Sequence, residues 1–129
     1  MTRAQLAAAR RLQWLHSPAA GVGGMLFPEM VSSPVVVTNS RGMSAGTIAE
    51  HVLAVTLALF RRLPHAVRSQ AAREWAQDAI GAEGNRLIAG ASVLVVGLGA
   101  IGGAVAHRMT LLGARVTGLR RRAAGETHG

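Results

Sequence analysis

The chain has 129 residues, half of them apolar, which suits one modest domain with a sizeable core and argues against disorder. It has no cysteine, which excludes disulfides and thiolate metal sites, and we expect no bound metal and a cytoplasmic location. The formal charge is +8, but all 14 basic residues are arginines, which are scattered apart from Arg10–Arg11, Arg61–Arg62 and the triplet Arg120–Arg122, and only four residues are aromatic. A base-stacking surface is therefore not expected, and we predict no nucleic-acid partner.

The sequence also predicts no association with a membrane. The N-terminal segment lacks the apolar core of a signal peptide. The longest apolar run, Val52–Phe60, is too short to span a bilayer and favours a buried helix.

The first third of the chain has the pattern of a parallel α/β structure. The predicted elements are a helix to about Arg10 capped by Thr2, a strand over Leu12–His16, a turn-rich loop over Pro18–Gly24, a short helix within residues 25–33, and a buried strand centred on residues 35–37. The order strand, helix, strand is typical of a parallel sheet.

The middle third predicts two helices and a linker. Thr47 and Glu50 form a capping box ahead of the Val52–Phe60 run, whose apolar residues on nearly every face predict burial on several sides. Pro64 stops or kinks this helix. A second helix carries Val67, Ala71 and Trp75 on one face, and residues 78–91 form a glycine-rich connection at a domain boundary. Trp14 and Trp75 are expected to be core or interface residues.

The last third is the most informative. It reads as a strand over Ser92–Val96, a glycine turn over Gly97–Gly102, a helix to Leu112, Gly113 as the helix cap, and a strand over Arg115–Leu119.

The glycine turn matches the G-x-G-x-x-G pattern of dinucleotide-binding proteins, and it lies between a strand and a helix as the pattern requires. Gly97 permits the tight turn, Gly99 lets the backbone approach a pyrophosphate, and Gly102 lets the helix pack closely on the strand. Phosphates then bind at the helix N-terminus. The alternative is a glycine-rich turn without a ligand.

Several separated motifs together resemble one family. In order they are LQWLHSPAAGV, VVVTNSRGMSAGTIAEHVLAVTLALFRRLP and LIAGASVLVVGLGAIGGAVAHRMTLLGARVTGLRR. They resemble the D-isomer-specific 2-hydroxyacid dehydrogenases, in particular the glyoxylate/hydroxypyruvate reductase-like branch, and the resemblance extends from about Ala4 to Arg122.

The resemblance implies the fold and its divisions. We expect part of a flavodoxin-like substrate domain in residues 1–46, a long interdomain helix and linker in 47–90, the first βαβ unit of a Rossmann cofactor domain in 91–122, and a tail in 123–129. It also implies that the outer face of the interdomain helix forms a homodimer in the full-length parent.

The same resemblance implies site residues. Ala20 and Gly21 would present backbone N–H groups to the carboxylate of a small 2-oxo or 2-hydroxy acid. Ala100 and Ile101 would place their backbone against the pyrophosphate of the cofactor.

The family's catalytic arginine, glutamate and histidine would lie beyond the last predicted strand, so no residue of this chain is assigned a catalytic role. We therefore expect the middle portion of an oxidoreductase that acts on the CH–OH group of D-2-hydroxy acids, inactive alone. The alternative is a nucleotide-binding or dimerising piece without catalysis.

Arg120 determines the predicted cofactor. An NAD-binding Rossmann fold has an acidic residue at the end of its second strand, about twenty residues after the glycine motif. Here Arg120 stands at that point and Arg121 and Arg122 follow. Because a guanidinium can bind a 2′-phosphate with two parallel hydrogen bonds, we predict NADP(H) as the preferred cofactor, with NAD(H) possible. The alternative is a solvated chain end.

Overall fold

The computed structural model describes residues 1–82 and 84–121, which form two compact units. The first unit is Met1–Met43 and the second begins at Ser44. Each unit contains two parallel strands joined by a connection that includes a helix. The predicted α/β class is therefore confirmed.

The first unit is built around one strand pair. Its elements are α1 (Arg3–Ala8), β1 (Trp14–Ser17), a 3₁₀ turn (Gly23–Met25), α2 (Pro28–Val31) and β2 (Val36–Asn39). The predicted cap of α1 is confirmed, because the Thr2 hydroxyl accepts a hydrogen bond from the Gln5 N–H at 3.2 Å. The Gln5 side chain in turn accepts one from the Thr2 N–H at 2.8 Å. The helix ends at Ala8, slightly earlier than predicted.

Two predictions for this unit are wrong in detail. The short helix expected in residues 25–33 covers only Pro28–Val31, because Phe27 is extended and the helix begins at Pro28. The second strand is not buried: Val36 is 58% exposed and exposure alternates along β2.

The second unit combines a long helix with a βαβ unit. Its elements are α3 (Ala45–Phe60), α4 (Leu63–Ala71), α5 (Gln77–Ala82), β3 (Ser92–Val96), α6 (Ala100–Leu111) and β4 (Arg115–Leu119). Strands β3 and β4 pair in parallel from Ser92 opposite Arg115 to Val96 opposite Leu119. Helix α3 packs on α6, and the core between them contains Ala49, Val105 and Met109.

The last third of the chain agrees with its prediction. Strands β3 and β4 have the predicted bounds, and α6 ends within one residue of the predicted Leu112. Gly113 has a φ of +83°, and its N–H donates to the Thr110 carbonyl at 2.9 Å. The Ala114 N–H donates to the Met109 carbonyl at 3.0 Å, which completes a Schellman motif and turns the chain into β4.

The predicted capping box of the long helix is wrong. Helix α3 begins at Ala45, and Ser44 at its N-cap makes no capping side-chain hydrogen bond. Thr47 therefore lies inside the helix. The Glu50 carboxylate lies 3.7 Å from the Arg108 guanidinium of α6 instead of capping the backbone.

The predicted burial of α3 on several sides is also wrong for the described structure. One face packs on α6, but Val55 is 43% and Leu59 is 63% exposed. Trp14 and Trp75 are exposed as well, at 62% and 90%, so neither is a core residue. Their alternative assignment to an interface stays a prediction.

The predicted end of the long helix before Pro64 is confirmed, and the predicted linker after the second helix is partly wrong. The chain turns at Arg62, whose φ is +57°, and Pro64 lies in the first turn of α4. Helix α4 ends at Ala71, so Trp75 is outside it. Helix α5 occupies the start of the segment 78–91 that was predicted as a glycine-rich connection.

Candidate functional site

The glycine turn joins β3 to α6 with the backbone shape that its sequence predicts. Gly97 has a φ of +97°, a conformation that residues with a side chain rarely adopt. A methyl group at Gly102 would overlap the carbonyl oxygen of Gly97 and lie only 3.3 Å from Val95 Cγ1. Glycine is therefore required at both positions for α6 to start this close to β3.

The start of α6 can hold an anion. Gly99 is the extended N-cap residue, and a Cβ built on it meets nothing within 4 Å. Among the hydrogen bonds of residues 1–82 and 84–121, none uses the N–H groups of Ala100, Ile101 or Gly102. These donors lie at the positive end of a twelve-residue helix, which is the arrangement that binds phosphate groups.

The end of β4 lies beside the glycine turn. The Gly97 N–H donates to the Leu119 carbonyl at 2.6 Å, and Val96 pairs with Leu119 in the sheet. Arg120, the next residue, therefore follows the strand at the same edge as the turn. Arg121 is exposed, and Arg122 lies outside the described residues. The described residues among these arginines thus lie near the glycine turn, and their part in cofactor binding stays a prediction.

The loop that contains Ala20 and Gly21 follows β1 in the first unit. Side chains at the strand ends hold it: the Asn39 Nδ2 donates to the Ala20 carbonyl at 2.7 Å, and the Ser17 hydroxyl accepts from the Ala19 N–H at 3.3 Å. Within the described part of the chain, the N–H groups of Ala20 and Gly21 have no hydrogen-bond acceptor. Both N–H groups can therefore donate to an anion, and their assignment to a substrate carboxylate stays a prediction.

Sequence reasoning missed a polar cluster on the β1–β2 sheet. The Trp14 Nε1 donates to the Thr38 hydroxyl at 2.8 Å, and this hydroxyl lies 2.9 Å from His16 Nδ1. His16 Nε2 lies 3.2 Å from the Ser40 hydroxyl. The only available signal was the two-residue spacing of Trp14 and His16, which places both on one face of a strand.

The described residues contain no metal-binding cluster of histidine, cysteine or carboxylate side chains. In the same span, no helix is long and apolar enough to cross a membrane. A cavity of about 710 Å³ lies around Trp75, between α4 and α5, and none of the predicted site residues lines it. The predicted site residues lie instead at the start of α6, at the end of β4 and in the Ala20–Gly21 loop.

The βαβ unit, with a glycine turn at the helix N-terminus, defines a Rossmann-type nucleotide-binding fold. Residues 53–128, more than half of the chain, match the family model described as "D-isomer specific 2-hydroxyacid dehydrogenase, NAD binding domain". The chain belongs to the D-isomer specific 2-hydroxyacid dehydrogenase family, as its motifs indicated.

Individual relatives agree with this assignment. The chain is 35% identical over 112 residues to the D-3-phosphoglycerate dehydrogenase of Mycobacterium tuberculosis, covering 86% of this chain and 20% of that enzyme. The chain thus spans about a fifth of the length of the curated relatives that it matches.

Solved structures agree as well. The D-lactate dehydrogenase of Aquifex aeolicus, complexed with NAD and lactic acid, is 25% identical with a TM-score of 0.77, covering 94% of this chain and 37% of that one. A D-isomer specific 2-hydroxyacid dehydrogenase of Xanthobacter autotrophicus Py2, in complex with NADPH and MES, is 26% identical with a TM-score of 0.68. The match covers 91% of this chain and 36% of that one.

Proposed function

We propose that this chain supplies the cofactor pyrophosphate site and the substrate carboxylate loop of an oxidoreductase that acts on D-2-hydroxy acids. The substrate we expect is a small 2-oxo acid such as glyoxylate or hydroxypyruvate. The division into a substrate portion (1–46), interdomain helices (47–90), a cofactor portion (91–122) and a tail (123–129) is part of this proposal. So are a cytoplasmic location and the absence of a nucleic-acid or membrane partner.

One observation carries the cofactor half of the proposal: the hydrogen bond from Gly97 to Leu119 that holds the end of β4 beside the glycine turn. A dinucleotide whose pyrophosphate binds at Ala100 and Ile101 would direct its adenosine ribose toward the end of this strand. Gly97, Gly99 and Gly102 allow that approach, since they leave the turn free of side chains.

NADP(H) is the preferred cofactor in this proposal. Arg120 stands where a carboxylate would repel a 2′-phosphate, and Arg121 adds positive charge at the same edge. A relative of this family was crystallised with NADPH and another with NAD, so the family fold accommodates either cofactor. The choice depends on the residues after β4.

The chain's own residues would bind and orient the reactants. A nicotinamide cofactor, when bound, would supply or accept the hydride. Reduction of a 2-oxo acid also requires a positioned proton donor, and such a group contributes roughly 10²–10⁴-fold to the rate. His16 is partnered by hydroxyl groups rather than by a carboxylate, so we do not assign it that role. We propose that the 129-residue chain binds cofactor without turning over substrate.

A second candidate function is a nucleotide-binding and dimerising module. The exposed apolar residues on α3 favour self-association, and this candidate requires no proton donor.

The cofactor preference is tested by titrating the chain with NADPH and with NADH and following nicotinamide fluorescence. We expect tighter binding of NADPH, and Arg120→Asp should remove the preference. Arg115→Asp is the matched control, since it makes the same charge change at the opposite end of β4. Equal loss of preference in both variants would mean that net charge, and not a site at Arg120, discriminates the cofactors.

A further inference from the structure

The Ala20–Gly21 loop is held from two sides by the last residue pair of the β1–β2 sheet. Ser17 and Asn39 lie opposite each other in the parallel register. The fully buried Ser17 hydroxyl accepts from the Ala19 N–H at 3.3 Å, and Asn39 donates to the Ala20 carbonyl at 2.7 Å. Two side chains that are distant in sequence therefore fix two consecutive residues of the loop.

The orientation of the Asn39 amide follows from its partners. The Arg41 N–H is a donor and lies 3.3 Å from one end of that amide, so this end must be the oxygen. The Nδ2 end then faces the Ala20 carbonyl, which can only accept. Reversing the amide would set two donors against each other at one end and two acceptors at the other.

This arrangement determines which loop groups are left for a ligand. The Ala19 N–H and the Ala20 carbonyl are both occupied, and the adjacent N–H groups of Ala20 and Gly21 have no acceptor among the described residues. A carbonyl is the group that would repel a carboxylate, and Asn39 holds the Ala20 carbonyl toward the strand end. The space above Gly21 is open, because a Cβ built there meets nothing within 4 Å.

We infer that Asn39 is a positioning residue, which holds the Ala20–Gly21 loop so that its two amides converge on a substrate carboxylate. This inference rests on the proposed function of the loop. Asn39 acts through the loop backbone rather than by touching the substrate, and Ser17 supports it from β1.

The test uses the ¹⁵N-labelled 129-residue chain and the variant Asn39→Asp. Aspartate is nearly isosteric and can still accept from the Arg41 N–H, but it cannot donate to the Ala20 carbonyl. Asn85→Asp is the matched control, since it makes the same change at an exposed asparagine of the second unit. Amide hydrogen exchange and relaxation of Ala20 and Gly21 are measured without ligand, and oxamate, a small 2-oxo acid analogue, is then titrated.

In Asn39→Asp we expect faster exchange and greater mobility at both loop amides and about 5–10-fold weaker oxamate binding, as for loss of one hydrogen bond. Asn85→Asp should change neither quantity. Unaltered loop amides in Asn39→Asp would overturn the inference, whatever happens to affinity, because the added charge alone can weaken oxamate binding.

The ligand-free measurement separates this inference from the proposed function. If the loop loosens but the unmodified chain shows no response to oxamate, Asn39 does position the loop and the carboxylate role of the loop is wrong. If Asn39→Asp loses the β1–β2 amide signals altogether, Asn39→Ala repeats the test, since it removes the donor to the Ala20 carbonyl without adding a charge. Rigid loop amides in that variant would contradict the two-sided hold.

Discussion

Gly102→Ala should both destabilise the second unit and weaken cofactor binding. The added methyl group would overlap the backbone carbonyl oxygen of Gly97 and lie 3.0 Å from the carbonyl carbon. Because backbone atoms cannot rotate away, α6 would have to shift from β3 by on the order of 1 Å, and overpacking of this kind costs about 1–3 kcal/mol. The same shift would move the N–H groups of Ala100 and Ile101 away from a bound pyrophosphate.

The neighbouring residue provides the control. Gly103 lies in the same turn of α6, but a methyl group there meets nothing within 4 Å. Gly103→Ala should therefore gain helix propensity, about 0.5–1 kcal/mol of stability, without loss of binding. The two alanine variants should differ by about 1.5–4 kcal/mol in the free energy of unfolding.

Urea denaturation followed by circular dichroism measures this difference, and NADPH fluorescence titration measures the loss of affinity. We expect at least about tenfold weaker NADPH binding for Gly102→Ala, corresponding to roughly 1.4 kcal/mol. Equal stability and equal affinity of the two variants would refute the close approach of α6 to the glycine turn.

Three further predictions concern catalysis, association and one ion pair. The 129-residue chain should not reduce glyoxylate or hydroxypyruvate with either nicotinamide cofactor; turnover that is abolished by His16→Ala would contradict this. The chain should self-associate through the exposed apolar face of α3, so Leu59→Asp should lower the mass measured by light scattering. The same change at Leu111, a leucine on α6 that is also exposed, should not lower it. Glu50→Ala should lower the free energy of unfolding by less than about 1 kcal/mol, because the Glu50 side chain that pairs with Arg108 is 73% exposed. A loss above about 2 kcal/mol would contradict this, since it would mean that the ion pair stabilises the packing of α3 on α6 more than an exposed pair does.

The parts of the fold that the sequence predicted well are those where local signals agree with tertiary contacts. Strand β3, the glycine turn, α6 and β4 follow one another with short connections, and Gly97 and Gly113 each mark a required positive φ. Their bounds could therefore be predicted from apolar runs and turn residues alone.

The errors arise where tertiary packing competes with a local signal. Thr47 and Glu50 have capping-box spacing, yet α3 extends upstream to Ala45 and Glu50 faces Arg108 of α6. Helix α5 was missed because Gly81 and Gly84 suggested a loop, although Gly81 lies within the helix. A capping pattern thus marks the first residue of a helix only if tertiary contacts do not favour a helix that begins earlier in the chain.

Only part of the candidate site could be predicted from the sequence. The glycine turn is a contiguous motif, so its residues could be named in advance. The other contacts join residues that are far apart in the sequence. Asn39 is 19 residues from its partner Ala20 in the loop, and Thr38 is 22 residues from His16 in the polar cluster. Neither pair has a periodic pattern: the pairing of β1 with β2 brings Thr38 to His16, and the turn of the chain after β1 brings Ala20 to Asn39.

The most direct test of the central claim is to map NADPH onto the chain by amide chemical shifts. The glycine turn is proposed to bind the pyrophosphate through free backbone donors, so saturating NADPH should shift the amides of Gly99, Ala100, Ile101 and Gly102 more than others. Residues around the Trp75 cavity should stay unchanged. Saturable shifts centred on Trp75, or no saturable shift at the start of α6, would contradict cofactor binding at this site.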